Sequence, residues 1–87
     1  MKSISEVEKE IAIEWKKVLK DESLSLDGDS HFFKVGGTSM LALEVVSCIN
    51  KKYLVKISLL TLAKKPTIGE LSEHVVSQLS EISEGVI

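Results

Sequence analysis

Apolar residues recur at helical spacing in three stretches of this chain, separated by polar or glycine-containing segments. In the first, Ile4, Val7, Ile11, Trp15, Val18 and Leu19 share one face, which predicts a helix from about Ser5 to Lys20. Ser5 with Glu8 offers a capping box at its start, and Ser3 with Glu6 offers a second. Glu6, Lys9, Glu10, Lys16, Lys17 and Lys20 fill the opposite side, with Ile13 as a tolerated surface residue among them. In the second stretch, about Met40 to Tyr53, the residues Ala42, Val45, Val46, Ile49 and Tyr53 form the core face. Met40 projects almost opposite to that face, beside Glu44, Ser47 and Lys51. In the third, Ile68, Leu71, Val75 and Leu79 make one stripe; Pro66 ends the element before it, and Thr67 with Glu70 forms a capping box.

Between the second and third stretches, Val55 to Ala63 is short and apolar. The alternation of Val55 and Ile57 resembles a strand, but no partner strand is evident, so the reading is an extended entry and a short helix near Ser58 to Ala63. Asp21 to Thr38 is a long connection of the kind that is often functional. Leu24, Leu26, Phe32, Phe33 and Val35 can pin it to the helices. From Ser80 the Ser/Glu-rich tail reads as a frayed end or linker. The expected fold is all-α, a small bundle of three main helices plus one short helix, with residues 1–80 as the domain and 81–87 as a tail.

Composition narrows the functional classes. At 87 residues the chain is one small domain. A net charge of −2 gives no basic stripe for nucleic acid, and no apolar run approaches a membrane span, which makes a cytoplasmic soluble protein the default. All 11 basic residues are lysines, so no guanidinium fork is available for bidentate recognition. A single cysteine, Cys48, excludes an internal disulfide and reads as a half-buried inert thiol. Asp27 and Asp29 lack the glycine position and the later glutamate of a calcium loop, and read as a turn. His74 has no second ligand at metal spacing, and His31 reads as a locally bonded loop residue. Trp15 belongs to the core, where its N–H should find a partner.

The segment Phe32 to Met40, FFKVGGTSM, carries the candidate chemistry. Two aromatics can anchor the loop, Gly36 and Gly37 remove side chains beside the helix start, and Ser39 presents a hydroxyl where helix N–H groups and the dipole favour an anion. On local pattern alone, a serine here is most often a helix cap. A hydrolase nucleophile elbow needs glycine on both sides, G-x-S-x-G, and Leu41 stands where the second would be. His31 and His74 are the only imidazoles, so the hydrolase reading fails.

FFKVGGTSM is similar to the FFxxGGxS(L/I/M) motif of peptidyl carrier (thiolation) domains of nonribosomal peptide synthetases and hybrid polyketide synthases, within the acyl-carrier-like family. Pro66-Thr67-Ile68 with Leu71 resembles the signature that opens their last helix, and the resemblance spans roughly residues 4–80. It implies that Ser39 carries 4′-phosphopantetheine from coenzyme A and that Met40 contacts partner enzymes, with Leu41, Thr38 and Gly37 around it. It further implies a non-catalytic monomer that holds aminoacyl, peptidyl or acyl groups as thioesters. A phosphopantetheinyl transferase modifies it, and adenylation, condensation, ketosynthase or thioesterase-type domains are its other partners. Thr38 departs from the histidine or aspartate common before the serine, and Ala63 from a common phenylalanine. The competing reading is a helical interaction module in which Ser39 is only a cap. The start at Met1 and the tail are compatible with a freestanding protein and with an excised piece.

Overall fold

The periodic stretches become helices, and the computed structural model describes residues 3–85, with side-chain surroundings through residue 79. The elements are α1 (Ile4–Leu19), α2 (Ser39–Tyr53), α3 (Leu59–Lys64) and α4 (Ile68–Gly85), with no strand among the described residues. This is the expected all-α bundle. Helix α1 packs against α4 and α2, and α3 packs against α2.

Helix ends differ from the expected ones in instructive ways. Of the two boxes open to α1, the chain uses the earlier: Ser3 Oγ accepts from the Glu6 amide and donates to the Glu6 carboxylate, so Ser5 lies inside the helix. Ile4 thereby becomes the first helical residue and is exposed, because the covered face starts at Val7. Thr67 and Glu70 pair as expected, with Thr67 Oγ1 accepting from the Glu70 amide and donating to its carboxylate. Helix α4 continues past Ser80 to Gly85.

Trp15, Phe32, Ile11, Ile49, Leu62 and Leu71 are fully buried at the centre. The rings of Trp15 and Phe32 meet edge to face at 5.0 Å. Trp15 Nε1 finds no hydrogen-bond partner among the described residues, against expectation. Burying an aromatic of this size removes about 150–250 Å² from water and contributes about 4–6 kcal/mol. An unmade hydrogen bond costs about 1–3 kcal/mol. Packing wins.

The strand-like segment has partners of an unexpected kind. Val55 and Ile57 are buried, and the backbone of Ile57 pairs with the Asn50 side chain: its N–H donates to Oδ1 at 2.8 Å and its carbonyl accepts from Nδ2 at 3.0 Å. The Lys56 amide and carbonyl meet Gln78 Oε1 and Nε2 at 3.3 and 3.4 Å. Two side-chain amides from α2 and α4 thus stand in for the missing strand and hold the approach to α3.

Candidate functional site

The loop into α2 is tied down before it reaches Ser39. The Phe32 amide donates to the Pro66 carbonyl at 2.8 Å, the Ile68 amide to Ser30 at 3.2 Å and the Gly69 amide to Gly28 at 2.9 Å. The last two bonds use donors at the start of α4 that no intrahelical carbonyl can satisfy. The Asp27 carboxylate accepts from the Asp29 amide, which makes that pair a turn. His31 Nδ1 accepts from the Phe33 amide, so the imidazole is locally bonded. Of the two aromatics, Phe32 is the anchor: it is wholly buried, whereas Phe33 is 37% exposed and packs edge to face on it at 5.3 Å.

The two glycines do different work from the one their position suggests. A side chain at Gly37 would place its Cβ 2.2 Å from the Phe32 ring, so the missing side chain makes room inward for the anchor. Gly36 takes φ +113°, a conformation that favours glycine, and has open space beside it. Together they turn the chain tightly over Phe32, and the Gly37 amide closes that turn on the Phe32 carbonyl at 2.9 Å.

At the helix start the hydroxyls divide their roles. Thr38 is the N-cap, its Oγ1 accepting from the Leu41 amide at 3.2 Å. Ser39 is the first helical residue, exposed, and its hydroxyl is not the cap. The reading of Ser39 as only a cap therefore fails, and the departure at Thr38 acquires a function. No acidic side chain lies in the first turn of α2. The helix N-terminus is open to an anion attached at Ser39, an arrangement worth about 0.3–1 kcal/mol.

Around Ser39, Met40 is 79% exposed, Thr38 is exposed, Gly37 is half-buried, and Leu41 is half-buried against the core. The structure adds three exposed leucines that periodicity did not single out: Leu43 on α2 at 53%, Leu54 at the C-cap of α2 at 82% and Leu60 on α3 at 61%. Leu43 follows Met40 by three residues and so shares its side of the helix, a signal present in the sequence. Lys34 is exposed in the loop.

The remaining candidates lie elsewhere. Cys48 is half-buried on α2. His74 Nε2 contacts Gln78 at 3.1 Å, and no group of three metal-ligating side chains occurs among the described residues. At the other end of α2 the Tyr53 hydroxyl donates to Glu10, and burial, that bond and the nearby Glu14 push its pKa above the tyrosine norm. A groove of about 420 Å³ between α1 and the loop is lined in part by Ala12, Ile13, Leu26 and Ile68 and does not include Ser39.

The comparisons with known proteins agree with this geometry. The family described as "phosphopantetheine attachment site" matches residues 9–75. Indigoidine synthase of Streptomyces lavendulae is 34% identical over 79 residues, 91% of this chain but 6% of that protein. The chain thus spans a small fraction of the curated relatives it matches. Among solved structures, the acyl carrier domain of the CurA module from Lyngbya majuscula superposes with a TM-score of 0.85 at 25% identity, covering 93% of this chain and 82% of that one. A complex of the transferase Sfp with coenzyme A and a peptidyl carrier protein matches with a TM-score of 0.76 at 30% identity, over 82% of this chain and 90% of that one. No helix among the described residues is long and apolar enough to cross a membrane.

Proposed function

The chain belongs to the phosphopantetheine attachment family, and from that premise we propose that Ser39 is the residue that receives the group. The domain is a carrier of the kind found in nonribosomal peptide and polyketide assembly lines and is not itself catalytic. Its cofactor is covalent 4′-phosphopantetheine derived from coenzyme A. When attached, the group supplies a terminal thiol that holds acyl or aminoacyl cargo as a thioester.

One observation carries the assignment of Ser39: its hydroxyl is exposed at the first position of α2, while Thr38 does the capping. A serine whose oxygen had to cap the helix would weaken that cap on becoming a phosphodiester oxygen, a poorer acceptor than a free hydroxyl. Here the two tasks sit on adjacent residues. The phosphodiester would lie over the free N–H groups of an acid-free first turn. Phe32, buried and bonded to Pro66, makes the ledge rigid.

Met40, with Leu41, Thr38 and Gly37 beside it, forms the docking surface for partner enzymes. The exposure of Met40 and its adaptable thioether support that role. A phosphopantetheinyl transferase is the first partner. Adenylation-type domains are further partners, and condensation, ketosynthase or thioesterase-type domains complete the set. The carrier unit corresponds to residues 1–80 and acts as a monomer when isolated.

The test is direct. Incubation of the purified chain with coenzyme A, magnesium and a broad-specificity transferase should add one phosphopantetheine by intact mass, and Ser39→Ala should add none. A folded wild type left unmodified by several transferases, or a Ser39→Ala variant still modified, would overturn the assignment.

A further inference from the structure

Charge is distributed unevenly along this chain, and the imbalance falls on the site. Residues 31–65, which run from the loop through α2 and α3, hold six lysines against a single carboxylate, Glu44, a formal net of +5. The whole chain is at −2, so the rest carries −7. Within this segment, contacts already described pick out the lysines nearest the site. The Phe32 to Pro66 bond brings the end of α3 against the loop that leads into Ser39. Lys64 and Lys65 lie at that end, and Lys34 lies in that loop; all three are exposed, and none is ion-paired among the described residues. Lys52, by contrast, belongs to the far end of α2 and approaches Glu14 at 3.8 Å.

The exposed apolar residues on the two helices of this segment are Met40 and Leu43 on α2 and Leu60 on α3, each more than half exposed. Leu60 and Lys64 are four residues apart on α3 and share one side of it. Of the carboxylates on adjoining segments, Glu70 accepts the Thr67 hydroxyl, Asp27 accepts the Asp29 amide, Asp29 stands exposed between the two loop residues bonded to the start of α4, and Glu44 is the acid on α2 itself.

Resting on the carrier reading, we infer that the transferase which modifies this chain presents an apolar pocket ringed by carboxylates. Met40, Leu43 and Leu60 fill the pocket, and Lys34, Lys64 and Lys65 meet the ring. The lysines act mainly on encounter: opposite charge raises the association rate, and salt screens it. The apolar residues hold the complex once formed.

Two transferases whose carrier-facing surfaces have opposite charge provide the test, each assayed with coenzyme A and the unmodified chain. The acidic-faced enzyme should show a kcat/KM about tenfold or more above the basic-faced one at low salt, narrowing to within about threefold at 0.5 M salt. The triple variant Lys34→Glu, Lys64→Glu, Lys65→Glu should lose or invert that preference. A control with the same charge change on the outer face of α1 (Lys9→Glu, Lys16→Glu, Lys17→Glu) should retain it, with thermal melts checking that both variants fold. No preference, the opposite preference, or an equal response to the two triple variants would overturn the inference and leave Ser39 as the attachment site. Failure of both enzymes to modify Ser39 would remove the carrier assignment and this inference with it.

Discussion

The N-termini of α2 and α4 are both opened by a threonine, yet they are built for different ends. Thr67 and Glu70 satisfy each other at the start of α4, and the loop carbonyls of Ser30 and Gly28 take the amides of Ile68 and Gly69. That terminus is closed by its own chain, with a carboxylate already over the dipole. At α2, Thr38 caps through the Leu41 amide, but the residue three positions on is that leucine rather than a glutamate, and the first turn holds no acid. An attached phosphodiester would take the place that Glu70 takes in α4. The α2 terminus is set apart by what it omits.

Breaking the ledge should have the largest effect. Gly37→Ala puts a Cβ into the Phe32 ring, and overpacking of this kind costs about 1–3 kcal/mol. A urea melt should register a loss at the upper end of that range, and transferase turnover should fall with it even at temperatures where the variant stays folded.

Removing each cap compares the two termini directly. Thr38→Ala and Thr67→Ala should each destabilise by about 1 kcal/mol in chemical denaturation. Only Thr38→Ala should also slow the modification of Ser39, since that cap alone adjoins the hydroxyl. Equal slowing by both would erase the distinction between them.

Making α2 resemble α4 is the next step. Met40→Glu places a carboxylate in the acid-free turn, which should raise helix stability by about 0.3–1 kcal/mol. The same substitution should slow modification, both by repelling the incoming phosphate and by removing Met40 from the proposed docking surface. A gain in stability without slower modification would break the link drawn here between the empty turn and the anion.

The smallest effect is expected at the other end of the helix. The neutral Tyr53 hydroxyl is held by burial and by Glu10, so its pKa is raised on folding. The folded state then binds the proton more tightly, and the resulting stability is present below the ordinary tyrosine pKa of about 10 and lost as pH rises above it. Wild type should therefore lose stability above pH 10 more steeply than Tyr53→Phe, while that variant is modified at the wild-type rate near neutrality.

The amino-acid sequence by itself determined the helices and the inward faces of most of them, because 3.6-residue periodicity is a local property that burial reads directly. Ala42, Val45, Val46, Ile49 and Tyr53 are buried as their spacing requires, and the Thr67–Glu70 box forms where its residues stand. The FFKVGGTSM segment likewise marked the candidate site, since a glycine turn and a hydroxyl before a helix are local features. Tertiary structure decided what depended on distant partners. The division of labour between Thr38 and Ser39 followed from where the anchored loop lets the helix begin. Gly37 makes room for the Phe32 ring, which lies five residues back along the chain, and Asn50 and Gln78 become backbone partners only because α2 and α4 pass on either side of residues 56 and 57. Trp15 finds no acceptor among the described residues for the same reason: the apolar neighbours that close around a buried ring come from several elements, and no single stretch of chain announces them.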